Sequence, residues 1–194
     1  YISVTKIITN DNMGKDNRFT PAEIEELKSQ SFVDDAAPLI SNRFKVIASA
    51  GDAIPFSSDV FLEALDNNFI DTVPPNFKWT EGQIKVPIIF SSDFLEMYNV
   101  FAPSYGLPQM SQATASNVTI SLYCEGKLGQ EVFQANIVAF SDRVNSLLAP
   151  KEFIDWANKT LEGAEEKKAT RVYLKTKDAN NGELLQFLDS KQYR

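Results

Sequence analysis

At 194 residues, 43% of them hydrophobic and 14 of them phenylalanine, the chain is long enough to bury one large core or two small ones. Its net charge of −7 argues against a nucleic-acid binder and supplies no polybasic segment for an anionic membrane. With no histidine, the Ser-His-Asp and Cys-His arrangements and the usual imidazole ligands of zinc and copper are excluded, and the lone Cys124 excludes an intrachain disulfide.

Tyr1–Thr9 is rich in β-branched residues and reads as a strand. Asn10–Asn17 is a polar loop. Asp11, Asn12, Gly14 and Asp16 give it the look of a calcium loop, but no register fits the EF-hand spacing. Thr20-Pro21-Ala22-Glu23 starts a helix, with Thr20 as cap, Pro21 in the first turn and Glu23 closing a capping box. Ile24 and Leu27 form its buried stripe. Phe32–Ile40 returns as a strand, so the first forty residues make a β-α-β unit.

Asn42–Ala50 is a further strand, with Phe44, Val46 and Ala48 alternating, and Gly51-Asp52 turns after it. Phe56–Ile70 mixes a strand with a short helical turn on Phe61, Leu62 and Leu65. Asp71–Gly82 is a loop, because Pro74-Pro75 bars both helix and ladder. Within it Trp79 either covers a core edge or forms an aromatic platform for carbohydrate. Lys85–Phe90 is a short buried strand, and Ser91-Ser92-Asp93 caps a helix whose Phe94, Met97, Tyr98 and Phe101 share a core-facing stripe. Pro103–Ser116 is a long polar loop, the segment expected to be mobile or to contact a partner.

Val118–Glu125 and Glu131–Phe140 form a hairpin across Gly126-Lys127-Leu128-Gly129, with Cys124 as a small buried residue. Ala135–Asn158 then gives a strand end, a polar turn Ser141–Ser146, Leu147 and Leu148, and a helix opened by Pro150. Phe153, Ile154, Ala157 and Leu161 are its apolar stripe. Glu162–Lys168 is a charged linker. Arg171–Thr176 is a strand with Val172 and Leu174 on one face and Arg171, Tyr173 and Lys175 on the other. Asn180-Asn181-Gly182 leads into a helix carrying Leu184, Leu185 and Leu188. The strand that would return from it is expected beyond Arg194.

Both ends are β-α pieces and the middle is rich in strands. The expected class is α+β: a split α/β subdomain from residues 1–41 and 162–194, with a β-rich subdomain, 42–161, inserted. No run reaches the ~18 apolar residues that cross a bilayer, and no signal peptide is visible. The chain opens without Met inside a strand and stops just after a helix. A segment of a longer protein is expected.

Four blocks carry a family resemblance in this order: FTPAEIEELKSQSFVDDAAPLIS (Phe19–Ser41), KVPIIFSSDFLEMYN (Lys85–Asn99), GQEVFQANIVAFSDRVNSLLAPKEFIDWAN (Gly129–Asn158) and RVYLKTKD (Arg171–Asp178). Together they resemble the extracytoplasmic, MacB-like periplasmic core domain of MacB/FtsX-like ABC transporter permeases, with Ala139 where many relatives have Gly. The resemblance implies a porter-like α/β subdomain and an inserted, sabre-like β-rich one. It implies an inner-membrane protein whose segment faces the periplasm between two membrane helices. The implied partners are a cytoplasmic ABC ATPase acting through the full-length permease, a second permease copy, and a periplasmic partner or cargo, with no nucleic acid. It carries over no catalytic, cofactor-binding or metal-binding residues, and the chain lacks the G-x-x-x-x-G-K-[ST] phosphate loop. The implied role is non-catalytic: coupling cytoplasmic ATP hydrolysis to export or partner regulation. Two other classes stand beside it. One is a free-standing module binding peptide, lipid or glycan, with Pro103–Ser116 beside Phe94–Phe101 as its place. The other is a carboxylate hydrolase using Glu23, Glu25 and Glu26, or Glu165 and Glu166.

Overall fold

A computed structural model describes residues 1–51, 57–165 and 167–194. Asp52 of the expected turn, Phe56 at the start of the next segment and Glu166 of the acidic pair lie outside the described residues. The chain divides into two compact units, Tyr1–Ile40 with Glu166–Arg194, and Ser41–Glu165.

The first unit is built on three strands, β1 (Ile2–Thr5), β2 (Asp35–Ser41) and β10 (Arg171–Lys175). β10 runs antiparallel to both neighbours, Val4 facing Val172 on one side and Ala37 facing Tyr173 on the other. β1 and β2 are therefore parallel with the last strand between them, a split β-α-β arrangement. Strands from the two ends of the chain thus share one sheet, as the paired β-α pattern predicts. Helix α1 (Pro21–Lys28) starts with the expected capping box: Glu23 N–H donates to Thr20 Oγ1, and Thr20 N–H donates to Glu23 Oε2 at 2.8 Å. Helix α5 (Gly182–Ser190) is capped by Asn181. Val4, Phe19, Leu27, Val172, Leu174 and Leu184 are the heart of this core. Two details add to the sequence reading. Tyr173 is buried on the second face of β10, and Leu185 is half exposed while Leu184 and Leu188 are buried.

The last residues pair with the first strand and the residues just after it. Thr5 and Arg194 exchange backbone hydrogen bonds at 2.7 and 2.9 Å, and Ile7 N–H donates to the Gln192 carbonyl. To get there, α5 ends in a Schellman turn: Tyr193 N–H reaches the Leu188 carbonyl and Gln192 N–H that of Asp189. Gln192 sits at φ +58°, where glycine is usual.

The second unit carries β3 (Lys45–Ser49), β4 (Ser57–Asp59), β5 (Leu62–Ala64), β6 (Lys85–Ser91), β7 (Ile120–Gly126), β8 (Gly129–Ser141) and β9 (Leu147–Leu148), in the order β5-β9-β6-β8-β7-β3-β4. β6 and β8 are parallel, and the β7–β8 hairpin closes with Gly126 opposite Gly129. Three expectations need correction. The helical turn on Phe61, Leu62 and Leu65 does not form: Leu62–Ala64 is a strand paired with Leu147-Leu148, Phe61 is exposed, and the turn lies further on, at Asn67–Phe69. Leu147 and Leu148 are a strand rather than the tail of a turn, since β9 also pairs with β6. Pro150 is the N-cap of α4 (Lys151–Glu162), one place ahead of the first helical residue.

Helix α4 packs on this unit through an aromatic group and its own polar end. Trp79 meets Phe153 and Trp156 at 5.2 Å between ring centroids, and Phe133 meets Phe153 at 5.1 Å. Trp79 is 4% exposed, its indole donating to the Gln83 carbonyl, so it is core and not a carbohydrate platform. Asn158, buried on the same helix, accepts from Arg43 N–H at 2.7 Å and donates to the Ser41 carbonyl at 3.1 Å. At the helix end, the Leu161 carbonyl accepts from Leu128 N–H and the Glu162 carboxylate from Lys127 N–H. Glu162 thus belongs to the helix and the hairpin, not to a solvated linker.

A Cβ on Gly126 would lie 2.1 Å from the Leu161 carbonyl oxygen, whereas one on Gly129 meets nothing closer than 3.9 Å. Gly126→Ala is therefore expected to cost about 2 kcal/mol in urea unfolding, and Gly129→Ala to cost far less. Asn158→Ala removes the side-chain partner of the part-buried Arg43 N–H and Ser41 carbonyl and is expected to cost about 1–2 kcal/mol.

Candidate functional site

Most of the chemically capable groups singled out in the sequence have structural work. Glu23 closes the capping box and also takes Lys6, whose Nζ lies 2.7 Å from Oε1. Burial alone would raise the Glu23 carboxyl, but the Lys6 hydrogen bond, the Thr20 N–H and the Lys6 charge outweigh it and hold it below its ordinary 4.5. Glu26 is paired with Lys191, and Glu165 with Lys159 across 3.7 Å on the surface. Glu25 is exposed on α1. In the calcium-like loop, Asp16 is gripped by Arg18 and Lys168 at 2.8 and 2.9 Å, which keeps its carboxyl far below the usual range. Among the described residues no group of three or more acidic, cysteine or histidine side chains could hold a metal ion. Cys124 is buried on β7. Burial, reinforced by the charge of Glu131, pushes its thiol up to about 12, which keeps it protonated at neutral pH.

Two features emerge that the sequence reading did not name. In the first unit a polar cleft of about 310 Å³ opens between Lys6, Asn12, Glu23, Glu26, Lys191 and Tyr193. Its charges form the two ion pairs just described. Tyr193 stacks edge-on against Phe19 at 4.9 Å, and burial with Glu23 and Glu26 nearby raises its hydroxyl to about 12. The capping-box spacing marks Glu23 in the sequence, but nothing local marks Lys6 as its partner.

The second feature corrects the expected core stripe. On α2 (Ser92–Phe101) the buried apolar residue is Leu95, while Met97, Val100 and Phe101 point to solvent and Phe94 and Tyr98 are partly buried. Ser91 takes the N-cap position, but its hydroxyl makes no capping bond. The following segment is ordered, not a free loop. It contains a 3-10 turn at Ala102–Tyr105 and α3 (Gln112–Ala115). Asn99 clamps it, donating to the Met110 carbonyl and accepting from Met110 N–H, both at 2.8 Å. Tyr98 Oη donates to the Pro108 carbonyl at 2.8 Å. Leu95, Ala115 and Ile137, with Phe90 and Phe140 against them, form the small core beneath. No helix among the described residues is long and apolar enough to cross a membrane.

A split β-α-β unit and a separate mixed-sheet unit, joined by two chain crossings, define a two-unit α+β domain. The chain belongs to the family of probable transporter periplasmic core domains, PCD-like, whose match runs over residues 2–194. Two solved structures are similar to it. The extracellular domain of the noncanonic ABC-type transporter YknZ from Gram-positive bacteria is 12% identical, with 100% of this chain and 97% of that one covered and a TM-score of 0.48. The periplasmic region of MacB from Actinobacillus actinomycetemcomitans is 13% identical, with 99% and 86% covered and a TM-score of 0.48. No curated protein matches the chain.

The lowered Glu23 pKa has a signed consequence. A carboxylate whose pKa is depressed in the folded state adds stability above its ordinary pKa, and that stability is lost as the pH falls through the folded value. Gln at this position keeps the capping box but not the charge. Hydrogen exchange of the α1 amides is therefore expected to be faster in Glu23→Gln than in wild type at pH 7. The two should converge as the pH drops below 4.5.

Proposed function

We propose that this chain is the extracytoplasmic domain of an FtsX/MacB-type ABC transporter permease. In this reading it is non-catalytic and couples cytoplasmic ATP hydrolysis to export of a periplasmic cargo or to control of a periplasmic partner. The family match over residues 2–194 carries the reading. The full-length permease sits in the inner membrane with this segment facing the periplasm, pairs with a second copy, and acts with a cytoplasmic ABC ATPase.

We assign the porter-like subdomain to the unit formed by both chain ends and the inserted β-rich subdomain to the other. Two observations support a mechanical role. The chain passes between the units only at Ile40–Ser41 and at Glu165–Glu166, and a pair of short connections suits a hinge. Glu23, Glu26 and Glu165 are held in ion pairs, and the Cys124 thiol is buried. In a full-length transporter, an engineered disulfide tethering the two units is expected to abolish transport and stimulated ATPase activity, with recovery on reduction. Transport that survives the tether unchanged would remove relative motion of the units from the mechanism. An isolated domain that hydrolyses ATP would remove the non-catalytic reading.

A further inference from the structure

Helix α2 and the turn after it present an apolar ridge to solvent. Met97, Val100, Phe101 and Tyr105 are 53%, 70%, 57% and 78% exposed. The first three stand at i, i+3 and i+4, on the side of the helix away from buried Leu95. The ridge is held in place from behind. Asn99 and Tyr98 fasten the returning segment, Ala102 is buried, and Gly106 ends the turn at φ +69°. A ridge fixed in advance loses little conformational freedom on contact.

Its charge is one-signed. Asp93 and Glu96 are exposed one helical turn before Met97 and Val100, each at i−4. No lysine or arginine occurs between Lys85 and Lys127, so the whole α2–α3 excursion carries no basic residue of its own.

We propose that this face docks a basic amphipathic helix of a partner protein. The partner's apolar side covers Met97, Val100, Phe101 and Tyr105, and its flanking lysines or arginines meet Asp93 and Glu96. A helix is the fitting shape, because a ridge at i, i+3, i+4 spacing seats in the groove of another helix. A second copy docking through the same face would bring two more acidic groups and no basic residue of α2–α3 to the contact. An anionic membrane would be repelled by the same pair. The proposal holds whether or not the domain couples ATP hydrolysis.

The test uses the whole 194-residue chain and a fluorescein-labelled synthetic peptide with leucines at helical spacing and lysines flanking them. Anisotropy titrations are expected to show binding. Binding should weaken about tenfold or more in Val100→Ser/Phe101→Ser and, as a second variant, in Met97→Ser/Tyr105→Ser; both replace exposed side chains. Asp93→Asn/Glu96→Gln should weaken binding and flatten its salt dependence, and a peptide with glutamates in place of the lysines should bind about tenfold more weakly. No binding of the lysine peptide, or equal binding by both serine variants and wild type, would overturn the proposal. So would self-association of the wild type in sedimentation that the serine variants abolish, which would assign the face to a second copy. Uptake by phosphatidylcholine vesicles lost in the same variants would overturn it in favour of a lipid surface.

Discussion

The second unit depends on how α4 satisfies backbone groups that no strand reaches. Between β2 and β3 the chain leaves the strands at Asn42 and Arg43, and part-buried peptide groups there take side-chain partners. Asn158 supplies two partners from the helix, and the Asn42 side chain accepts from Leu62 N–H on β5. The same helix ends with its last carbonyls against the β7–β8 hairpin, where Gly126 is the residue that lets them approach. Helix position, hairpin position and the strand crossing are thereby one constraint. The ring group of Trp79, Phe133, Phe153 and Trp156 fills the space it leaves.

Much of this was legible locally, and what was not has a physical reason. The capping box at Thr20 and the hairpin at Gly126–Gly129 are short-range patterns, and they form where the spacing puts them. The alternation in β10 was readable too, and its second face buries Tyr173. Leu147-Leu148 and Leu62–Ala64 could not be read as strands. They are two and three residues long, and they pair with each other in register across 85 residues of sequence, with Leu148 also beside β6. That pairing is tertiary, and it overrides the helical spacing of Phe61, Leu62 and Leu65.

The α2 stripe failed for a different reason. Phe94, Met97, Tyr98 and Phe101 do recur at helical spacing, but periodicity names a face without saying whether it points inward. The core beneath α2 is small, built on Leu95, Ala115 and Ile137, and it has room for one side of the helix only. Likewise the polar run after Phe101 looked loose by composition. The residue that orders it, Asn99, is an ordinary helix amide whose two hydrogen bonds to Met110 are invisible until the fold brings them together. Lys6 and Glu23 are the same case: the carboxylate is marked by its cap, while its cation arrives from another element.

These placements separate two kinds of surface. Polar groups with chemical potential are drawn inward or paired. Glu23 is lowered by Lys6, Cys124 is raised by burial, and Tyr193 is raised beside Glu23 and Glu26. None of the three is held near neutrality, where a general acid or base is most useful. Apolar side chains on α2, by contrast, are left in water although the chain has clamped them rigidly, and desolvating such residues is what drives association. A domain that neutralises its reactive groups and keeps a fixed apolar ridge outside is shaped for contact.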